Sequence, residues 1–413
     1  MEYEEKEEVV GSVGSIRQRA RDDHQAFRVM KRSMARDGHR SRLQEVVKTL
    51  KAPSSQEFSM LCSALKKHKK VETLQRLRLG LGSNQDYITT FLKCHGALYS
   101  LIGCLTGVNE VLQQEAACVL VNLSLGTEKQ CREVCQRAGT YLVLHMSSQN
   151  PNMQDPCAWC VGNLCGGHVS VCTLLLSQGG EEAMVKLLQS HSPHVLQSAA
   201  YALLHYLTTV PHRIEATVEG GTVSGLVGAL SHGEEGRMAE VGWCLFLLST
   251  HTPVCSLLTN HNVIGAAFTT LEKLINEQNL DVVTATSLVR VLMNCAAAAP
   301  GAAVQICYRS EQLVRIVKAL LYCPYSHLRT ETLHLLASVI NAASSESETG
   351  RCLVADLSLR PRLESAVKSA LAATFTQHTT HTPIQLIQFS SSQPDFTAME
   401  QEPVEKHYQK CSS

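Results

Sequence analysis

Apolar residues in this chain recur at helical spacing, and one helical stretch returns about every 42 residues. It reads QEAACVLVNLSLG at 114–126, QDPCAWCVGNLCG at 154–166 and LQSAAYALLHYLT at 196–208. It continues as MAEVGWCLFLLST at 238–250, TATSLVRVLMNCA at 284–296 and TETLHLLASVINA at 330–342. The equivalent positions Asn122, Asn163, His205, Leu247, Asn294 and Asn341 are 41, 42, 42, 47 and 47 residues apart. A fixed period in this range predicts a stacked helical solenoid, in which no single repeat can bury its apolar face alone. A solenoid presents a long continuous surface, and such surfaces bind extended peptides and proteins. The pattern therefore predicts a binding protein and not an enzyme.

The grammar within one repeat is legible. In 129–166, KQCREVCQRAG is a first helix that Gly139 is expected to stop. TYLVLHMSS follows as a second helix, NPN as a turn, and QDPCAWCVGNLCG as a long third helix. The next unit keeps the order, with VSVCTLLLSQGG, then EEAMVKLLQS, then the HSP turn, then HVLQSAAYALLHYLTT. A short helix, a glycine turn, a medium helix and a long helix make the armadillo pattern. The expectation is an all-α, right-handed superhelical armadillo solenoid of about seven repeats over 51–371. An acidic segment at 1–15, a basic arm at 16–50 and a polar tail at 372–413 flank it, the first and last read as disordered.

Composition fits. Aromatic residues are only 5% of the chain, while Ala, Leu, Val and Cys fill the apolar positions, which suits closely crossed helices. The formal net charge of 0 favours no polyanionic partner, and nucleic acid is not expected. The 17 cysteines lie within apolar helical runs of a chain that opens on the acidic MEYEEKEEVV, so free thiols in a reducing compartment are expected. Cys157-x-x-Cys160 with Cys165, His168 and Cys172 invites a zinc reading. It lacks the second Cys-x-x-Cys that makes such spacing specific, and small side chains at helix crossings explain it better. No phosphate loop, nucleophile elbow or dinucleotide fingerprint is present, so neither cofactor nor metal is expected.

AWCVGNLCG and EAACVLVNLSLGT resemble the third helices of importin-α armadillo repeats, whose hallmark is Trp-x-x-x-Asn. IRQRARDDHQAFRVMKR at 16–32 is similar to the importin-β-binding segment of that family. The register places Arg17, Arg19 and Arg21 in the arginine run, Phe27 at the leucine position, and Arg28, Lys31 and Arg32 in the basic cluster that follows. Within the family, the combination is nearest to the divergent branch named for transmembrane and coiled-coil domains. The resemblance implies an import adaptor of the cytoplasm and nucleus: the arm binds importin β and the concave groove binds a cargo peptide or protein.

The chemistry of the hallmark is plain. Residues four apart share a helix face. An Asn amide offers two donors and an acceptor to a peptide backbone. Trp rings one turn away wall in the stems of Lys or Arg and attract their charge. In this chain only Trp159 and Asn163 form a complete pair. Asn122 follows Cys118, Tyr201 precedes His205, Trp243 precedes Leu247, Asn294 follows Arg290 and Asn341 follows Ala337. The expected groove residues are Trp159, Asn163, Asn122, Trp243, Asn294 and Tyr201, with Glu115, Asp155 and Glu240 adding negative charge. Each lost aromatic slot removes roughly 0.5–2 kcal/mol, so capture of a conventional basic import signal is weakened. Plainer readings stand beside these. The two Trp can be packing residues, the Asn ladder can cap turns inside the solenoid, the arm can be a solvated helix, and the whole can be a scaffold without transport activity, free or associated with a membrane.

Val241–Leu271 carries no charged residue over 31 positions, and Val291–Tyr308 none over 18. Both runs are broken by turn residues, at 249–253 and 260–262 and at Pro300-Gly301, short of the ~20 continuous apolar residues a span needs. A membrane span is not expected.

Overall fold

The computed structural model describes residues 51–166, 168–232, 239–277, 280–344, 363 and 365–368. The acidic segment 1–15, the basic arm 16–50 with Arg17, Arg19, Arg21, Phe27, Arg28, Lys31 and Arg32, and the tail 372–413 lie outside the described residues.

The described residues are helical, with no strand among them. In chain order the helices are α1 (Ser55–Lys67), α2 (Val71–Ser83), α3 (Asp86–Lys93), α4 (Ala97–Leu105), α5 (Glu110–Leu123), α6 (Glu128–Met146), α7 (Pro151–Cys165), α8 (Val169–Ser177), α9 (Gly180–Leu187) and α10 (Pro193–Thr209). They continue as α11 (Ile214–Thr217), α12 (Val223–His232), α13 (Ala239–Ser249), α14 (Thr252–Asn260), α15 (Val263–Asn276), α16 (Val282–Ala298), α17 (Pro300–Tyr308), α18 (Ser310–Leu321) and α19 (Ser326–Ser344).

Seven of these, α2, α5, α7, α10, α13, α16 and α19, are third helices, and each packs on the next along the chain. Together they form one wall along the solenoid, with the first and second helices behind. The all-α armadillo solenoid of about seven repeats is what the structure shows. Caps set the helix starts. Asn109, Asn150 and Asp281 accept the first backbone N–H groups of α5, α7 and α16, satisfying donors that have no partner within the helix. Pro151 and Pro193 open α7 and α10, where a missing N–H costs nothing.

The tight turns between first and second helices need left-handed backbone. Gly96, Gly179 and Gly221 supply it at φ 80, 86 and 86, and Asn262 does so at φ 59. Gly139 is a correction. It does not stop a helix, because α6 runs unbroken from Glu128 to Met146 and fuses the first and second helices of its repeat. It lies within that helix, facing the Gln178 side chain. The uncharged run 241–271 is cut into parts of α13, α14 and α15, in repeat phase. No single helix among the described residues is long and apolar enough to cross a membrane; α3 and α4, bent at 93°, pass that test together by length and composition only.

The tightest joint of the wall is α7 on α10. A Cβ at Gly162 would stand 2.6 Å from Tyr201 Cδ1 and 3.0 Å from Ala202 Cα. Backbone is the obstacle as well as a ring, so the helices would have to separate. Gly162→Ala should destabilise the protein by about 1–3 kcal/mol, the usual cost of overpacking. A melting-temperature comparison with wild type checks this.

Candidate functional site

The third-helix wall carries all six groove residues expected from the sequence. The structure brings Trp159, Asn163 and Tyr201 into one cluster. Trp159 on α7 and Tyr201 on α10 stack face to face, with ring centroids 4.4 Å apart and planes 5° from parallel. His205, one turn on from Tyr201, meets it edge-on at 4.4 Å. The Tyr201 hydroxyl donates to Asn163 Oδ1 at 2.8 Å, and Asn163 Nδ2 donates to the Val121 carbonyl on α5 at 3.3 Å. One amide thus ties three consecutive repeats together.

An amide presented to solvent from an open slot is not what this cluster shows. Asn163 is 5% exposed, Trp159 5% and Tyr201 2%. The physical reason is the glycine joint: at that helix separation the ring of one repeat lies on the ring of the next, and the amide reaches the preceding backbone. Asn122 on α5 and Asn294 on α16 are half-buried and make the same backward reach. Asn122 Nδ2 donates to the Arg78 carbonyl on α2 at 3.1 Å, and Asn294 Nδ2 to Ser249 Oγ on α13 at 3.0 Å. Each of these amides therefore spends a donor on holding repeats in register. An amide has two N–H groups and a carbonyl, so Asn122 and Asn294 keep capacity for a bound backbone.

Several of the wall's charges pair internally. Arg78 Nη1 lies 3.2 Å from Glu115 Oε2, with both side chains largely buried, and Gln75 Nε2 donates to Glu115 Oε1 at 3.2 Å. Ser198 Oγ donates to Asp155 Oδ1. Trp243 on α13 is 5% exposed and meets Phe246 edge-on at 5.3 Å. Arg290 lies over both rings, 5.8 Å and 5.4 Å from their centroids, and forms an ion pair with Glu331. The acids Glu115 and Asp155, read as attracting a basic segment, thus have protein partners. Arg78 and Phe246 escaped the sequence reading. Arg78 lies 40 residues before Cys118, so the 42-residue step points two positions short of it, to Arg76. Phe246, off the four-residue register, gave no signal.

No group of three His, Cys, Asp or Glu side chains that could hold a metal ion occurs among the described residues. Burial pushes the thiols of Cys62, Cys118 and Cys135 up to about 12. Burial likewise raises Cys157, Cys160 and Cys244 well above the usual thiol range. A raised thiol pKa favours the neutral, less nucleophilic form in the fold.

No family model matches the chain. Importin subunit alpha-9 of Arabidopsis thaliana is 22% identical over 306 residues, covering 70% of this chain and 58% of that protein. The chain therefore spans little more than half the length of that relative. An engineered protein of known structure superimposes with a TM-score of 0.60 at 20% identity, over 82% of this chain and 85% of its own. A designed armadillo repeat protein, solved in complex with the peptide (KR)4, superimposes with a TM-score of 0.51 at 20% identity, over 58% of this chain and 99% of its own. These likenesses give the armadillo fold. With them, the chain has an armadillo-repeat fold and a distant sequence similarity to importin-α.

Two outcomes check this description. Asn163→Ala strands the Tyr201 hydroxyl and releases the Val121 carbonyl, so it should cost about 1–3 kcal/mol of stability in a denaturant titration; the same substitution at an open groove position would cost little. The Cys62, Cys118 and Cys135 thiols should resist iodoacetamide at pH 8 until the chain is unfolded. The unfolded thiols ionise above about pH 8.5, whereas the native ones are held up to about 12. The contribution of these thiols to stability is complete below pH 8.5 and falls as pH rises from there, measurable as a declining melting temperature.

Proposed function

We propose that the protein is a non-catalytic, importin-α-like nuclear import adaptor: the third-helix wall takes a segment of a cargo protein, and the basic arm 16–50 engages importin β. The observation that carries this reading is the unbroken wall of seven third helices bearing the Trp159/Asn163 pair at the hallmark spacing. The sequence match at 16–32, with Arg17, Arg19, Arg21, Phe27, Arg28, Lys31 and Arg32 in register, supports the arm's partner. The relation to the branch named for transmembrane and coiled-coil domains belongs to the same proposal, as do residence in cytoplasm and nucleus, the absence of a membrane span in the whole chain, and the absence of cofactor and nucleic-acid partner.

One observation favours a second reading, an armadillo scaffold without transport activity. The Trp243 slot holds the protein's own Arg290, and the Trp159 ring is covered by Tyr201. A groove so arranged is poorly suited to rows of Lys and Arg. The arm separates the two readings, because a scaffold has no need of importin β. Arg28→Ala/Lys31→Ala/Arg32→Ala in the full chain should abolish co-purification with importin β and leave the melting temperature unchanged, since these residues precede the solenoid. Residual binding should be less sensitive to salt. Equal capture of importin β by the triple variant, or no capture by wild type, establishes the scaffold reading instead.

A further inference from the structure

The C-terminal half of the wall contains a complete cation site. Counting from Trp159 and Trp243, the repeat step places Arg290 at the Trp position of its own repeat. Its guanidinium carbon lies 5.8 Å from the centroid of Trp243 and 5.4 Å from that of Phe246, and those rings meet at 85°. From the other side Glu331 Oε1 accepts from Nε at 2.9 Å and from Nη2 at 2.6 Å. Two aromatic faces on α13 and a carboxylate on α19 thus enclose a guanidinium that comes from α16 between them. Aromatic faces and a carboxylate are the groups with which a protein holds the Arg or Lys of a bound segment. The side chains of Arg290 and Glu331 are each 15% exposed, so the site borders the wall's surface and is not sealed in the core.

We propose that Arg290 is an internal ligand, which fills the Trp243–Phe246–Glu331 site and keeps basic side chains of a bound segment out of this half of the wall. The inference rests on the reading of the wall as an interaction surface and adds a rule for its partner. The segment crossing α13, α16 and α19 presents uncharged or acidic side chains there. A Lys or Arg would meet Arg290 at close range with Glu331 already engaged, and like charges at such a distance repel. Removal of the Arg290 side chain leaves two aromatic faces and a free carboxylate, which together make a vacant cation site.

The experiment compares the full-length protein with its Arg290→Ser variant. The probe is an eight-residue (Lys-Arg)4 peptide, the one bound by the designed armadillo protein. The variant should bind it about tenfold more tightly than wild type, the worth of one desolvated cation–π site. Adding Glu331→Gln should remove most of that gain. Binding to the variant no tighter than to wild type overturns the proposal, as does a gain that survives Glu331→Gln. Loss of Arg290 also strands Glu331, so folding is followed in parallel with methylguanidinium. Millimolar methylguanidinium should raise the melting temperature of Arg290→Ser well beyond the effect of equal sodium chloride, and leave wild type unmoved. The absence of a selective rise means that the site does not recognise a guanidinium, and the proposal falls. Failure of the import reading is seen separately, as wild type that captures no importin β, and does not alter the difference between variant and wild type.

Discussion

The close crossing of consecutive third helices is the constraint on which the rest of this molecule depends. At the tightest joint, Gly162 leaves just enough room for the Tyr201 ring, and that ring then lies flat on Trp159. Stacking of this kind contributes roughly 0.5–1.5 kcal/mol beyond the area it buries. The same proximity lets Asn163 reach the Val121 carbonyl, Asn122 the Arg78 carbonyl and Asn294 the Ser249 hydroxyl. A solenoid is held by nearest-neighbour interfaces alone, so amides that cross from repeat to repeat set the angular register of the wall. The register in turn fixes which side chains stand next to one another along it.

That constraint turns a row of would-be binding groups into a row of internal partners. Tyr201 covers Trp159, Glu115 holds Arg78, Ser198 donates to Asp155, and Glu331 holds Arg290 over Trp243. Every one of these pairs joins neighbouring third helices. These charges are therefore neutralised within the wall, and half-buried amides such as Asn122 and Asn294 keep polar capacity. Under the proposed function, such a surface selects its partner by shape and backbone hydrogen bonds more than by charge.

The fold was legible because the period is carried by many residues at once: the apolar heart of each third helix, the turn glycines and the capping Asn, Asp and Pro. Gly179, at φ 86, marks a turn where one was expected. Gly139 misled because a glycine stop and a glycine inside a helix look alike in a sequence; the structure separates them by φ, since Gly179 is left-handed and Gly139, within α6, is not. The wall's membership was equally legible, since Trp159, Asn163 and Tyr201 all lie where the repeat step puts them. Their exposure was not. Whether Asn163 faces solvent or the Val121 carbonyl depends on the separation of two helices 42 residues apart, which no local pattern reports. Arg290 reads in the sequence as a cation where a cation slot belongs; that it fills the neighbouring slot is a fact of three helices together.

The central claim is that partners lie along the third-helix wall and not on the second helices behind it. Photo-cross-linking tests this most directly. A benzophenone side chain is placed at Gln114 or Gln197, one turn before the Trp position on α5 and α10, and for comparison at exposed Glu182 on the second helix α9. Irradiation of the full chain in cells should give discrete protein adducts from positions 114 and 197 and none from 182. Adducts from 182 with none from the wall would place the interaction surface on the outside of the solenoid and contradict the account.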